Sequence, residues 1–222
     1  MRPTQLLLIL LLGGLSIVAG CDSADPAQQK FKATRALAEK GDATAQCELS
    51  FMYIDGRGTA KDYAQATGWL RQAADQNNAV AQFNLGAAYA TGSGVAKDDA
   101  EAVKWFRKAA EQNNADAQQN LGVYYAQGLS VPKNEGEAVK WFRKAAEQNH
   151  AVAQGRLAFM YANGFDGLRD PVQAHAWWNV AASHGDPDAR KNIATIEKEM
   201  SPKQINDAIK LAVQLSDQLN KK

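Results

Sequence analysis

The stretch AVAQFNLGAAYATGSGVAKDDAEAVKWFRKAAEQNN, residues 79–114, decides the fold because the chain repeats its pattern. Gapless copies span residues 43–78, 79–114, 115–150 and 151–186, which gives a period of 36 residues. Each copy carries a tyrosine, a tryptophan and an Ala-Ala pair at fixed places. These are Tyr53, Tyr89, Tyr125 and Tyr161; Trp69, Trp105, Trp141 and Trp177; and the pairs that begin at Ala73, Ala109, Ala145 and Ala181. A fixed period of this length predicts an α-solenoid, in which neighbouring units share their apolar faces.

Each copy has the pattern of two helices separated by a glycine-rich turn. A cap residue precedes each first helix, and all of these except His150 are of types favoured at helix N-caps. Pro187 follows the last of them at the first helical position. A second set precedes the second helix, where Gln or Glu three residues later predicts a capping box. The first set is Asp42, Asn78, Asn114, His150 and Asp186, and the second set is Asp62, Asp98, Asn134 and Asp170.

The segments on both sides of the repeats predict end caps. Residues 26–42 match only the second half of a repeat, which predicts an N-terminal capping helix. Residues 187–222 predict a C-terminal half-repeat and a capping helix, with a first helix from Asp186 to Glu199 and a final helix that opens at Ser201. The predicted fold class is therefore all-α, built of helix-turn-helix repeats.

The first twenty residues have the layout of a secretory signal peptide. A positive start at Arg2 is followed by an apolar run over residues 6–18 and by small residues ahead of Cys21. A bilayer-spanning helix needs about 20 apolar residues, so this run is too short to span a membrane.

The tetrapeptide Val18-Ala19-Gly20-Cys21 resembles the lipobox of bacterial lipoproteins. The resemblance implies that residues 1–20 are removed, that Cys21 is acylated and that residues 21–25 form a short linker. An ordinary cleaved signal with a chance cysteine is the alternative. We expect a lipid-anchored protein of the bacterial cell envelope that faces the periplasm. Asp22 favours the inner membrane by the enterobacterial sorting rule, and the outer membrane is the alternative.

Charge and cysteine content narrow the class of function further. The chain has 25 basic and 24 acidic residues and a net charge of +1, so it lacks the basic excess that nucleic-acid binding requires. Cys21 and Cys47 are the two cysteines. Because Cys47 falls on an apolar helix face, we expect a buried, unreactive thiol.

The pattern that runs from Ala81 through Leu85-Gly86, Tyr89, the turn glycines and Trp105 to Ala109-Ala110 resembles the Sel1-like repeat, a relative of the tetratricopeptide repeat. The resemblance covers residues 43–186. It implies a right-handed α-solenoid that serves as a protein-binding scaffold, and it implies no reaction. A cysteine-rich secreted branch of the family is linked with β-lactamase activity, but the paired cysteines of that branch are absent here.

The resemblance also implies a binding surface, because the first helices of tetratricopeptide repeats line the concave face. By position, an inner ladder comprises Glu48, Asn84, Asn120, Arg156 and Asn192, flanked by Phe51, Phe83, Tyr124 and Phe159. Asparagine offers a donor and an acceptor, which suits binding to a peptide backbone in this groove. The alternative is that the ladder asparagines are hydrogen-bonded within the array.

No catalytic, cofactor-binding or metal-ligating constellation emerges from the sequence. The histidines His150, His175 and His184 are scattered, and no strand precedes the glycines of the turns. Binding is therefore favoured over enzymatic activity, and cell-wall or β-lactam hydrolysis is the least favoured function. We expect either a membrane-anchored periplasmic adaptor or, as the alternative, an immunity protein that neutralises a toxic lipase delivered into the periplasm.

Overall fold

The computed structural model describes residues 25–167 and 169–221, and this part of the chain is helical without any strand. The predicted signal peptide (residues 1–20), Cys21 and Asp22 lie outside these ranges. Two short 3₁₀ helices, Phe165–Gly167 and Glu197–Glu199, accompany the α-helices. The α-helices are α1 (Pro26–Glu39), α2 (Ala43–Asp55), α3 (Tyr63–Asp75), α4 (Ala79–Thr91), α5 (Asp99–Glu111), α6 (Ala115–Gln127), α7 (Glu135–Ala146), α8 (Ala151–Asn163), α9 (Pro171–Ser183), α10 (Ala189–Ile196) and α11 (Pro202–Leu219). The all-α fold class with helix-turn-helix repeats is thus confirmed.

From α1 to α10, each α-helix packs against the next along the chain, as expected for a solenoid. The first helices of the units are α2, α4, α6, α8 and α10, and we call the surface that they share the first-helix face. The second helices are α3, α5, α7 and α9. The final helix α11 packs mainly against α9, and thereby covers the last repeat.

The predicted caps of the first helices are present in the four repeats. The side chains of Asp42, Asn78 and Asn114 accept the N–H of the third helical residue at 2.8 or 2.9 Å, and His150 Nδ1 does so at 3.2 Å. Each cap satisfies one of the backbone donors that a helix start leaves unpaired.

The second helices are capped, but only one of the two hydrogen bonds of the predicted capping box forms. Asp98, for example, accepts the N–H of Glu101 at 3.0 Å, whereas its own N–H donates to the carbonyl of Tyr89. The cap residues of α3, α7 and α9 make the same bond to the tyrosine of their own repeat. Because the backbone donor is already satisfied by the first helix, the glutamate side chain is released for other contacts.

The start of α10 corrects the predicted first helix from Asp186 to Glu199. The Asp186 carboxylate accepts the N–H groups of Asp188 and Ala189, both at 2.9 Å. This local turn keeps Pro187 and Asp188 outside the helix, which begins at Ala189 and has eight residues.

Neighbouring repeats share their apolar cores. Trp105 on α5 packs with Leu70 of α3, Leu85 of α4 and Cys47 of α2, so it joins the first two repeats. Cys47 is 6% exposed, and burial raises the pKa of its thiol to about 11. The predicted placement of this cysteine in the apolar core is therefore observed.

A row of buried glutamines, which was not predicted from the sequence, lies beside these cores. Gln118 is 1% exposed; its amide donates to the carbonyl of Ala110 at 3.1 Å and accepts from the Gln148 amide at 2.7 Å. The same arrangement recurs in the other repeats, where His184 takes the donor's place in the fourth. The equivalent buried residues are Gln46, Gln82 and Gln154. Their recurrence every 36 residues was the available signal.

None of the helices in the described ranges is long and apolar enough to cross a bilayer.

Candidate partner-binding site

The predicted ladder residues all lie on the first-helix face, at the same place in successive units. Three of them have partners within the protein. Glu48 forms an ion pair with Lys30 at 2.7 Å, and the amide groups of Asn84 and Asn120 donate to carbonyls one turn earlier in their own helices, at 2.8 and 3.0 Å. The donors of both asparagines are therefore engaged locally, which agrees with the alternative of hydrogen bonding within the array.

The other two ladder residues differ from these three. The side chains of Arg156 and Asn192 have no hydrogen bond or ion pair to any residue that the structure describes. Arg156 is exposed and Asn192 is half-buried. The polar groups that remain available to a partner are thus concentrated in the C-terminal half of the ladder.

The predicted flanking aromatics divide in the same way. Phe51 and Phe83 are half-buried and pack against the shared cores. Tyr124 is 7% exposed, and its hydroxyl donates to Asp99 Oδ1 at 3.0 Å, so its ring is not presented at the surface. Burial, and then that hydrogen bond, raise the pKa of Tyr124 to about 12. Phe159, in contrast, is 51% exposed.

Three cavities lie at equivalent places between successive first helices, each closed below by a residue of the intervening second helix. The first, of about 190 Å³, lies between α2 and α4 above Leu70. The second, of about 130 Å³, lies between α6 and α8 above Phe142, and the third, of about 410 Å³, lies between α8 and α10 above Trp178. Asn84, Arg156 and Asn192 each line one of these cavities, so the predicted ladder coincides with the row of cavities.

Tyr124 interrupts this row between the second and third repeats. It stands at the repeat position of Ala88, Met160 and Ile196, which line the first, second and third cavities. Its ring packs against Phe106 with ring centroids 5.8 Å apart. A tyrosine ring therefore fills the space that a smaller side chain leaves open elsewhere.

Phe159 connects the cavities of the C-terminal half. It lines the second and third cavities and also a more open depression of about 300 Å³, which is bordered by Arg156, Asn192, Asp186 and Asp188. The indole N–H of Trp178, a wall of the third cavity, is buried and has no hydrogen-bond partner in the described part of the chain. This region combines an exposed aromatic ring, an unpaired cation and an unsatisfied donor.

The remaining charges around this region are mostly paired. Arg169 and Glu199 form an ion pair at 2.6 Å across the third cavity. Glu135, at the second cavity, is bound by Lys133 at 2.9 Å, and the hydrogen bond from Lys133 is the main cause that lowers the pKa of that carboxyl group.

The second helices carry exposed basic side chains on their outer surface. Arg107 donates to the Tyr125 hydroxyl at 2.7 Å, and the Lys108 ammonium lies 4.1 Å from the centroid of the Trp105 ring. Lys104 pairs with Glu101 at 2.6 Å, and this hydrogen bond raises the pKa of the lysine. These basic groups are therefore engaged within the protein. Within residues 25–167 and 169–221 no cluster of three or more metal-ligating side chains occurs.

Paired helices that stack in a fixed register and line their shared face with equivalent cavities define a helical-repeat scaffold. The particular family follows from the repeats themselves. The chain belongs to the Sel1 repeat family, whose repeat matches residues 43–78, 79–114, 115–150 and 151–186. Members of this family are generally non-enzymatic scaffolds that bind protein partners.

Solved structures agree with this assignment. The chain is 36% identical to c5321, a protective antigen present in uropathogenic Escherichia coli strains, with a TM-score of 0.81 over 90% of this chain and 43% of that one. It is 31% identical to a Sel1 repeat protein from Oxalobacter formigenes, with a TM-score of 0.74 over 85% of this chain and 77% of that one. It thus spans less than half the length of the Escherichia coli antigen.

A more distant structure shares the fold alone. The immunity protein PA5088 from Pseudomonas aeruginosa is 20% identical, with a TM-score of 0.51 over 91% of this chain and 78% of that one. None of the curated proteins compared with the chain matches it significantly.

Proposed function

We propose that this chain is a lipid-anchored periplasmic scaffold or adaptor that binds a partner protein on the concave, first-helix face of its solenoid. The proposal rests on the row of equivalent cavities between first helices. The ladder residues Asn84, Arg156 and Asn192 line these cavities. In a repeat scaffold without catalytic machinery of its own, such a face is the natural site for a partner. The protein is therefore proposed to act by binding and not as an enzyme.

The anchor forms the second part of the proposal. The lipobox-like sequence at Cys21 supports acylation, and α1 begins at Pro26, only five residues later. At about 3.5 Å per extended residue, this linker holds the first helix within about 20 Å of the lipid. Cys47 is buried in the core and is not a site for modification. We propose that the scaffold works close to a membrane surface, with Asp22 favouring the inner membrane.

Affinity capture of the membrane-anchored protein tests this function. The partner is identified by mass spectrometry of what co-purifies with the full-length chain.

The capture is then repeated with a ladder variant that carries Asn84→Ala, Asn120→Ala, Arg156→Ala and Asn192→Ala. A matched control carries Lys104→Ala, Arg107→Ala, Lys140→Ala and Arg143→Ala on the second helices. We expect the ladder variant to lose the partner and the control to retain it, with unchanged circular dichroism in both. Loss from the control alone would place the partner on the other face and contradict the proposal.

The identity of the captured protein separates the two roles that a tethered scaffold supports. A resident envelope enzyme or signalling protein would support the adaptor. A secreted lipase from a rival bacterium, neutralised on binding, would instead assign the immunity role. The distant similarity to PA5088 concerns the fold and favours neither role.

A further inference from the structure

The first-helix face is not equivalent along its length. In the N-terminal half Glu48, Asn84 and Asn120 have intramolecular partners, and Tyr124 fills the position that is open elsewhere. In the C-terminal half Arg156 and Asn192 lack partners in the described chain, and Phe159 is half exposed. Groups without internal partners lose no protein contacts when a ligand binds, so this half should contribute most of the binding free energy.

The size and chemistry of the third cavity favour a bulky apolar side chain carried on a polypeptide backbone. The cavity of about 410 Å³ is bounded by Phe159, Ala162, Trp178 and Ile196, which supply apolar walls. Its rim carries the free amide of Asn192, which can pair with a peptide group.

The charges around the site determine where an acidic group fits. Of the two arginines that line these cavities, Arg156 has no partner in the described chain, whereas Arg169 is paired with Glu199. Nearby, Lys133 is paired with Glu135. Asp186 and Asp188 border the depression on the side of α10. An acidic side chain is therefore favoured at Arg156 and disfavoured at the α10 end.

We propose that the partner binds the C-terminal half of the first-helix face through an extended segment, with an acidic side chain at Arg156 and a bulky apolar side chain in the third cavity against Phe159. Arg156 and Phe159 lie three residues apart on α8, with their Cβ atoms about 5–6 Å apart, and an extended chain advances about 3.3 Å per residue. The two side chains are thus about two to three residues apart in the segment. This inference rests on the proposed function and specifies the chemistry of the partner.

Selection from a display library of random short peptides on the detergent-solubilised full-length protein tests the inference. We expect the enriched sequences to combine an acidic residue with a bulky apolar residue two or three positions away. A dye-labelled enriched peptide is then titrated with the wild-type protein and with variants, and binding is followed by fluorescence anisotropy.

Phe159→Ala and Arg156→Glu should each weaken the binding of this peptide about tenfold or more, because each removes a contact at the centre of the site. A peptide in which the acid is replaced by lysine should bind Arg156→Glu better than it binds the wild type, since the charge order is restored. The charge-matched control is Arg107→Glu, an exposed arginine on the second helix of the second repeat, which should change the affinity less than about twofold. Circular dichroism confirms that each variant is folded.

Three results would overturn the inference. They are the failure of any peptide to enrich, equal binding by Arg156→Glu and the wild type, and a loss at Arg107→Glu as large as the loss at Phe159→Ala. The failure of the proposed function is distinguishable, because it appears in the affinity capture. A folded partner that is lost from the ladder variant, although no short peptide binds, would retain the function and reject the extended segment.

Discussion

At the scale of single residues, side chains at equivalent positions of the repeats make the same contacts at some positions and different contacts at others. Gln46, Gln82, Gln118 and Gln154 are all buried and all bond a carbonyl of the preceding helix. Ladder residues, in contrast, vary from glutamate to asparagine and arginine, and only some of them have an internal side-chain partner. Identical residues therefore mark the structural positions, and the variable ones mark the candidate binding surface.

The row of buried glutamines should stabilise the protein measurably. Gln118→Met keeps the side-chain volume but removes two buried hydrogen bonds, one to the Ala110 carbonyl and one from the Gln148 amide. We expect the free energy of unfolding to fall by about 1–3 kcal/mol in urea titrations. Gln119→Met, on the neighbouring and more exposed position, is the control and should stay within about 0.5 kcal/mol of the wild type. Equal effects at the two positions would refute a role for the buried bonds.

The two cysteines should behave differently. A clickable fatty-acid analogue should label the wild type and Cys47→Ser in cells, and it should fail to label Cys21→Ser.

In Cys21→Ser the remaining thiol should react with a thiol reagent at pH 8 only after unfolding. Its pKa of about 11 lies above the ordinary value of 9.0, so this thiol is neutral in the folded protein. Because the folded state retains this proton longer, the same group should lower stability as the pH rises from about 9 to about 11. Rapid labelling of folded Cys21→Ser would contradict the burial of Cys47.

At the scale of the elements, glycines have two different roles in the helical hairpins. Gly94 has a φ of +71° in the turn, and a Cβ atom there would lie 2.0 Å from the carbonyl oxygen of Tyr63. Gly86 lies within α4, and a Cβ there would lie 2.8 Å from the ring of Phe106. The first glycine permits a left-handed turn beside the preceding repeat, and the second permits close packing of the helices of one hairpin.

Two helical glycines should respond to substitution in opposite directions. Gly68 in α3 is exposed, and a Cβ there meets no atom within 4 Å, so Gly68→Ala should stabilise the protein by about 0.5–1 kcal/mol. Gly86→Ala should destabilise it by about 1–3 kcal/mol, since the ring of Phe106 must move. Chemical denaturation of both variants measures the difference. A gain in stability at Gly86→Ala would show that the helices have room to separate.

The sequence predicted the elements better than it predicted the site. Caps such as Asn78 and Asp98 and the glycine turns recur four times, so the hairpins followed from local chemistry. The late start of α10 was not predictable, because the Asp186 carboxylate can cap either a helix or a local turn. The burial of Tyr124 and the free side chain of Arg156 depend on how neighbouring repeats approach each other, which no single repeat specifies.

At the scale of the whole molecule, the repeats form one continuous stack because each core is shared between neighbours. Trp105 packs in the core between the first and second repeats, and Trp141 packs in the core between the second and third. The end helices α1 and α11 cover the first and last repeats. In such a stack, damage at one junction weakens the neighbouring units.

Trp105→Ala should lower the free energy of unfolding by about 3–5 kcal/mol and loosen the array around it. Hydrogen exchange should show the loss of protection in α3 and α4, which contact this ring. Trp69→Ala, at the equivalent but half-buried position, is the comparison and should cost less. An unchanged melting temperature in Trp105→Ala would count against shared cores.

Photo-crosslinking in living cells shows whether a partner contacts the first-helix face. A benzophenone amino acid is placed at Asn84 or Phe159 on this face and at Arg107 on the second helices. We predict a crosslinked partner from Phe159, a weaker product or none from Asn84, and none from Arg107. Crosslinks that form from Arg107 and from neither position on the first-helix face would contradict the claim.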